Sequence, residues 1–569
     1  MLVKRMLVVS IVVSALLGVG FAQRLPQWLP ADTVVALGMA DLRSSSELAA
    51  DFQAEFERLE IINAFAAVAG AGDVGELEGI LPAGVTWLDV FGSEAWLSVS
   101  VSSFNPFPVI TLATVLEPNA LDALAPLIAE GAANGETLQE GNYTFYTMFL
   151  EDPDAPVQRI AYGVADDVLL LSSNPDTLRG LLRQAGGSTE AALMDTDGYQ
   201  GTLGSLAAGN FYGYLNYAAV AQAVRPFASG LGFDGLLERV NTMLQTLNAT
   251  AGVARVTPSG LESEGLLRVN AAGGDEALYA LLTAQGFADA NTATLAPANT
   301  IGFTTGYVNL PAWWGYLNDL SRSVPELGGS LNNLVLSFTG IDLETTLFSW
   351  MGSQLTSIVT GTGEVVEPGM VSDNLLGEAV YVISTTDDAA AAAGLGQFMQ
   401  SLSMTIAMFA DPSGGMGNAA TDTSTIAGVS VTTYTMAPGV TISVAVNNGY
   451  AYIAPSLEAL TAALSGTNTL ANAATYQART ALVPGDASSF SYTDNSVSLS
   501  ASGEQLVNQL QTLAGIGGAS NLDFDAVQAA SDNIQAFLAF AATRVGSSIG
   551  YSQRSGDETY NYSQTPVNW

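Results

Sequence analysis

The chain has 569 residues, with 16 basic and 54 acidic side chains and a formal net charge of −38, and 48% of its residues are hydrophobic. This length and this apolar content predict at least two folded domains and argue against a disordered chain. The negative charge argues against nucleic acid and anionic lipid surfaces as partners, because like charges repel.

The N-terminus has the pattern of an export signal. Residues 1–6 carry positive charge, residues 7–20 are apolar, and Gly20-Phe21-Ala22 fits a small-x-small cleavage site. We therefore expect residues 1–22 to be a signal peptide and the mature chain to be periplasmic or extracellular. A retained signal would instead tether the chain to the membrane. After residue 22 we find no apolar stretch long enough to span a bilayer, so no membrane span is expected in the mature chain.

The residue types that most enzymes use are missing. The chain contains no Cys and no His, and its single lysine, Lys4, lies in the expected signal peptide. Ser-His-Asp and Cys-His nucleophile systems, imidazole or thiolate zinc sites and lysine Schiff bases therefore cannot form in the mature chain. Only carboxylate chemistry and oxygen-ligated cations remain. We expect a protein that is not an enzyme and has no cofactor.

Two stretches of the chain predict the same local structure. Residues 159–182 read RIAYGVADDVLLLSSNPDTLRGLL, and residues 441–464 read TISVAVNNGYAYIAPSLEALTAAL. Asn448-Gly449 is a strong signal for a two-residue hairpin loop, and Asp166-Asp167 takes the same place in the first stretch. A helix should then begin at Asn174-Pro175 in the first stretch and at Ser456 in the second. Pairing outward from the loops predicts two apolar faces: Ile160, Tyr162, Val164, Leu169 and Leu171, and Ile442, Val444, Val446, Ala451 and Ile453.

Other segments recur in the same order. The matched segments are Leu29-Pro30-Ala31-Asp32-Thr33 and Ala296-Pro297-Ala298-Asn299-Thr300, Phe91-Gly92-Ser93-Glu94 and Met351-Gly352-Ser353-Gln354, the strands Phe211–Asn216 and Phe490–Asn495, and the hairpins at Ser259-Gly260 and Ser555-Gly556. We therefore predict an α+β fold of two tandem, structurally similar repeats, each a mainly antiparallel β-sheet packed by α-helices. The first repeat would span residues 29–275 and the second 295–569, with 276–294 connecting them. The alternation of residues along the strands also predicts sheets that are covered on one face and more exposed to solvent on the other. Whether the halves share one sheet stays open.

The opening Pro-Ala-Asp-Thr, the strand that ends in Asp41-Leu42, the Gly-Ser-Glu at 92–94 and the doubled order of elements resemble a bacterial family, domain of unknown function 3352. The similarity covers essentially the whole mature chain. It implies an exported, membrane-anchored or periplasmic protein, and no site residues come with it.

Two groups of residues are candidates for a site. Asp195 and Asp197 resemble the opening of a calcium loop, but the third acidic ligand and the distal Glu are missing, so a polar turn is the favoured interpretation. Trp313, Trp314 and Tyr316 could form a stacking platform for sugar rings, although aromatic residues at helical spacing more often anchor a helix on its sheet.

These observations favour a non-catalytic envelope protein that acts as a binding or scaffolding module. Its partner would be an unknown envelope protein, glycan or lipid, and not nucleic acid. One alternative is a carrier of lipid or another apolar ligand, which the apolar content and the stripe from Leu236 to Leu247 would suit. A second is a carboxylate-dependent hydrolase, which the missing bases disfavour.

Overall fold

Twenty strands form one antiparallel sheet in the computed structural model. The structure describes residues 25–41, 43, 45, 48–58, 87–91, 93–101, 108–124, 135–149, 159–185, 191–228, 234–272, 274–324, 329–360, 379–410, 421–437, 440–465, 468–499 and 524–569. The strands are β1 Thr33–Ala40, β2 Glu94–Ser100, β3 Val109–Val115, β4 Glu136–Glu140, β5 Tyr143–Phe149, β6 Arg159–Ala165, β7 Val168–Ser172, β8 Phe211–Asn216, β9 Ala249–Thr257, β10 Gly260–Arg268, β11 Thr300–Tyr307, β12 Met351–Thr360, β13 Ala379–Thr385, β14 Thr421–Ile426, β15 Val429–Ala437, β16 Val440–Asn447, β17 Tyr450–Ala454, β18 Ser489–Thr493, β19 Ser548–Ser555 and β20 Glu558–Pro566.

Helices connect and cover these strands. They are α1 Ala50–Arg58, α2 Trp87–Phe91, α3 Pro175–Ala185, α4 Asp197–Gln200, α5 Tyr217–Ala228, α6 Asp234–Leu247, α7 Glu276–Thr283, α8 Leu310–Ser323, α9 Leu331–Thr339, α10 Asp388–Ala410, α11 Leu457–Ser465, α12 Ala474–Thr480 and α13 Phe524–Arg544. The predicted α+β class with a large antiparallel sheet is therefore confirmed. None of the helices in the described ranges is long and apolar enough to cross a membrane.

The strands from the two halves of the chain belong to one continuous sheet. The first half is paired in the order β4-β5-β6-β7-β3-β2-β1-β8-β9-β10. The second half is paired in the order β14-β15-β16-β17-β13-β12-β11-β18-β19-β20. The halves meet where β10 pairs with β20, with Gly260 opposite Pro566 and Arg268 opposite Glu558.

Local turn chemistry sets the two hairpins that the sequence predicts. Asp166 and Asn448 have φ values of 56° and 49°, and Gly449 follows at 83°. These are left-handed conformations that Asn, Asp and Gly tolerate. The helices after both hairpins also begin as predicted. Asn174 Oδ1 accepts a hydrogen bond from the N–H of Asp176 at 2.8 Å, and Ser456 Oγ accepts one from the N–H of Ala459 at 3.1 Å.

The sheet has a front face and a back face. We define the front face by Trp96, Tyr212, Phe303 and Tyr452, which the strand registers place on one side. Two core clusters lie on the front face, one in each half. A third cluster lies on the back face, where Leu395 and Met399 of α10 pack on the sheet.

One sequence-based prediction about these faces is wrong. The sheet is not simply covered on one side, because in β13, β16 and β17 both alternating sets of residues are apolar. On β16, for example, Val444 is buried against the back cluster and Ala445 against the front cluster. In β6 and β7 the buried residues belong to the opposite set, which includes Ala161, Ala165, Val168 and Leu170, and the predicted face of Ile160, Tyr162, Val164, Leu169 and Leu171 is only half-buried.

The backbone of β1 at Gly38 lies directly against the Trp96 ring of β2, and this contact fixes how the two strands pack. A Cβ atom on Gly38 would lie 2.4 Å from the Trp96 indole, so only glycine fits there. Trp96 is fully buried and stacks on Tyr212 with ring centroids 5.4 Å apart. Its Nε1 donates to Glu94 Oε1 at 3.0 Å, and the same oxygen accepts the N–H of Leu25 at 2.9 Å. The buried carboxylate therefore holds the segment before β1 against β2.

Candidate ligand-binding surface

The two acidic candidates from the sequence lie in local turns. Asp195 Oδ2 accepts the N–H of Ala192 at 2.9 Å and closes the 3-10 turn Leu193–Asp195. Asp197 opens α4, where Thr196 Oγ1 accepts the N–H of Tyr199 at 3.3 Å. Within the described ranges no group of three acidic side chains lies close enough together to hold a metal ion. The contact of Asp195 fits the polar-turn interpretation, and Asp197 lies at the start of a short helix.

The three aromatic candidates do not form an open platform. Trp314 stacks on Phe348 with ring centroids 5.0 Å apart and packs against the back core, and Trp313 meets Tyr316 edge to face at 6.3 Å. Tyr316 is only 8% exposed. The helix-anchor interpretation that the sequence favoured therefore suits these rings better than the stacking platform, since Trp314 packs on the back core and Tyr316 is buried.

The hydroxyl of Tyr316 has an internal partner that the sequence did not reveal. It donates to Asp275 Oδ2 at 3.2 Å, while Asp275 Oδ1 caps α7 by accepting two backbone N–H groups. Burial, together with the neighbouring Asp275, raises the pKa of Tyr316 to about 12. The pair joins α8 to the start of α7.

Among the described residues, the middle of the front face carries no closely packed helix, and we call this strip the central groove. Its floor is the front side of β9, β10, β20 and β19. On one side α4 and the 3-10 turn Leu203–Ser205 pack on β9, and on the other side α12 packs on β19. No helix of the described residues packs closely on β10 or β20. At about 4.8 Å between strands, the floor is about 14 Å across from β9 to β19.

Three tyrosines line the floor of the central groove. Strand register places Tyr551, Tyr560 and Tyr562 on its front side, and all three are half-buried. The ring of Tyr551 lies 5.3 Å from that of Tyr562 and 6.4 Å from that of Tyr560, measured between centroids. The rings therefore form one contiguous aromatic surface that remains partly open to solvent.

An ion pair joins two strands of the groove floor, and its arginine also holds the segment beside them. Arg255 on β9 makes a two-pronged contact with Glu264 on β10, with Nη1–Oε1 at 3.0 Å and Nη2–Oε2 at 2.7 Å. Its Nε donates to the carbonyl of Ala208 at 2.7 Å and its Nη2 to that of Ala207 at 3.2 Å. The hydrogen bond from Arg255 lowers the pKa of Glu264 against the opposing effect of burial. Four of the five N–H groups of Arg255 therefore have hydrogen-bond partners.

Two more carboxylates of the groove accept hydrogen bonds from neutral amides, and one of them, Glu262, also lies opposite Arg255 in the β9–β10 register. Glu262 Oε1 accepts from the Gln564 amide at 3.2 Å, and Asp486 Oδ1 accepts from the Gln553 amide at 2.7 Å. Burial and the nearby Glu264 raise the pKa of Tyr560 to about 12. The phenol therefore stays protonated at neutral pH and can donate a hydrogen bond.

Sequence reasoning missed this surface. The residues Tyr560 and Tyr562 alternate along a strand that was recognised only as half of the C-terminal hairpin at Ser555-Gly556. The alternation could have signalled an aromatic face, since residues two apart point to the same side of a strand. The pairing of β10 with β20, which brings Glu262 and Glu264 beside the tyrosines, had no local signal.

The fold defines an α+β protein built on one long antiparallel sheet, with an aromatic and acidic surface at its middle. The chain belongs to the family described as Protein of unknown function (DUF3352), whose model matches residues 117–522. The resemblance noted in the sequence is therefore confirmed.

Other comparisons add little. No curated protein matches the chain. Among solved structures, crystal form I of TP0453 is similar over 46% of this chain and 85% of that chain, with 7% identity and a TM-score of 0.22. A likeness this weak carries no argument about fold or function.

Proposed function

We propose that this chain is an exported, non-catalytic binding module whose ligand surface is the central groove. The observation that carries the proposal is the position of the half-buried tyrosines Tyr551, Tyr560 and Tyr562. They lie on the floor of a strip whose flanks are covered by α4 and α12. Aromatic rings with one wet side and nearby polar groups are typical of binding surfaces.

The non-catalytic part of the proposal rests on chemistry. The chain contains neither His nor Cys, so the common general bases and nucleophiles are missing. The carboxylates Glu262, Glu264 and Asp486 in the groove hold Gln564, Arg255 and Gln553 in place. Such contacts suit carboxylates that hold neighbouring side chains of a binding surface better than carboxylates that transfer protons.

Affinity capture tests the proposal. Immobilised wild-type chain, a Tyr551→Ser/Tyr562→Ser variant and a Leu334→Ser/Phe338→Ser control would each be exposed to an envelope extract. The control removes exposed apolar side chains on α9, outside the groove. We expect a component retained by the wild type and the control and lost from the groove variant. Retention of nothing, or equal retention by all three chains, would contradict the proposal.

Export is a separate part of the proposal and rests on the N-terminal sequence, which lies outside the described residues. A mature protein recovered from the envelope or medium should begin just after Ala22 when analysed by mass spectrometry. An intact N-terminus on a protein confined to the cytoplasmic fraction would refute export.

We also infer that the sheet arose from two tandem repeats, 29–275 and 295–569. The strand order is the same on both sides of the β10–β20 pair, and a register shift occurs at Thr33/Val35 in the β1–β2 pair and at Thr300/Gly302 in the β11–β12 pair. This agreement supports the inference. Superposing the two segments in an experimental structure tests it, and a score typical of unrelated folds would overturn it.

A further inference from the structure

We propose that the central groove binds a basic segment of a partner protein, through arginine or lysine side chains placed over the tyrosine rings. This inference rests on the proposed function of the groove as a ligand surface and adds the chemical class of the ligand. It is argued from the charges that remain unbalanced on the floor, the aromatic faces beside them and the shape of the groove.

The arginines of the floor are not available to a negatively charged ligand. The guanidinium of Arg255 gives its hydrogen bonds to Glu264 and to two backbone carbonyls. Arg268, at the far end of β10, lies 3.8 Å from Asp557 and packs so closely on Gly201 that a Cβ there would meet its Nη1 at 2.0 Å. An anion entering the groove would find no uncommitted positive charge on these two side chains.

The acidic groups of the groove are less well balanced. Glu262 and Asp486 accept hydrogen bonds from the amides of Gln564 and Gln553, which carry no charge. Arg255 pairs with Glu264 and lies opposite Glu262, so one arginine faces two acidic residues, and Asp486 adds a third in a chain whose net charge is −38. A field of this sign attracts basic partners and speeds their encounter with the surface.

The tyrosines add a second attraction for cations. The face of an aromatic ring carries negative potential, and a guanidinium or ammonium within about 6 Å of the ring centre is stabilised by it. Glu262 lies diagonally across from Tyr562 in the β10–β20 register, because Glu262 pairs with Gln564 and Glu264 with Tyr562. One cation could therefore meet a ring and a carboxylate together.

The dimensions of the groove favour a chain over a small cation. β10 and β20 each contain nine residues, which gives a floor on the order of 30 Å long and about 14 Å wide. An extended peptide fits this shape and can place several side chains along it. A single small cation would leave most of the floor uncovered.

Isothermal titration calorimetry on the full chain tests the inference at physiological ionic strength. The probes are an acetylated octapeptide of alternating Arg and Ser and its counterpart of alternating Glu and Ser. The variants are Tyr562→Leu, which removes a ring, Tyr562→Phe, which keeps it, and Glu262→Gln. The matched control is Glu238→Gln, which removes the same charge from an exposed position on α6. Circular dichroism would check that each variant folds.

We expect the Arg-Ser peptide to bind the wild type, and Tyr562→Leu and Glu262→Gln each to weaken binding about five-fold. Tyr562→Phe and Glu238→Gln should change it less than about two-fold. Absence of binding, preference for the Glu-Ser peptide, or equal weakening by Glu262→Gln and Glu238→Gln would overturn the inference. If the envelope capture still depends on the groove tyrosines in that case, the ligand class alone is wrong. If the capture does not depend on them, the proposed function itself fails.

Discussion

Replacing Arg255 by Met tests whether this side chain, through Glu264 and the carbonyls of Ala207 and Ala208, stabilises the floor of the central groove and the segment beside it. The side chains of Arg255 and Glu264 are 16% and 17% exposed. Removing one partner from a fully buried pair costs about 3–5 kcal/mol, since the other charge is left uncompensated. Solvent reaches part of this pair and screens it, so we expect Arg255→Met to lower the free energy of unfolding by about 2 kcal/mol near neutral pH.

The stability that Arg255→Met loses should depend on pH in a defined direction. The pKa of Glu264 is held below its ordinary value of 4.5 by Arg255. A carboxyl group whose pKa is lowered by folding stabilises the protein above its unfolded pKa, and that contribution is lost as the pH falls through the folded value. The difference in stability between the wild type and Arg255→Met should therefore shrink as the pH falls below 4.5.

Urea unfolding followed by circular dichroism, at neutral and acidic pH, measures this difference. Arg322→Met is the matched control, because Arg322 pairs with Asp319 at 53% and 76% side-chain exposure. Such a pair contributes under about 0.5 kcal/mol. An equal cost for both substitutions, or a cost for Arg255→Met that does not change in acid, would refute the reasoning.

Two further predictions concern the packing at Gly38 and the buried hydrogen bond of Tyr316. Gly38→Ala should lower the free energy of unfolding by about 1–3 kcal/mol in urea, because the new methyl group overlaps the buried Trp96 ring. Gly213→Ala, whose Cβ would have no neighbour within 4 Å, should change it by less than about 0.5 kcal/mol, and the reverse order would contradict the packing. Tyr316→Phe should cost about 1–2 kcal/mol in the same assay by removing the hydrogen bond to Asp275. It should leave capture of an envelope component unchanged, and a loss of capture would return Tyr316 to the binding surface.

The features that sequence could predict are the local ones. Hairpin loops at Asp166-Asp167 and Asn448-Gly449 follow from residues that accept positive φ, and the start of α3 follows from a cap at Asn174. In these places the conformation is decided by neighbouring residues, so a short stretch carries the information.

The features that sequence missed depend on distant parts of the chain. Ser263 and Ser563, which exchange a hydrogen bond at 2.7 Å across β10 and β20, are 300 residues apart. Nothing near either residue specifies that partner. Register fails in the same way: Phe211 was matched with Phe490, but the buried residues of β8 are Tyr212 and Tyr214, whereas Phe490 is itself buried in β18. A slip of one residue exchanges the two faces of a strand.

The candidate site shows the same limit. The spacing of Trp313, Trp314 and Tyr316 fits both a ligand platform and a buried anchor, and only the distant partners Phe348 and Asp275 decide between them. The tyrosines of the central groove share the β19–β20 hairpin, but Glu262 and Glu264 come beside them only when β10 of the first half pairs with β20.

Site-specific photocrosslinking tests the central claim most directly. Benzoylphenylalanine would replace Tyr562 in the central groove, and in a control it would replace Phe338, which is 60% exposed on α9. After irradiation in intact envelopes, the account predicts a discrete crosslinked partner from position 562 and none from position 338. Crosslinking from neither position, or the same products from both, would contradict a ligand surface at the centre of the sheet.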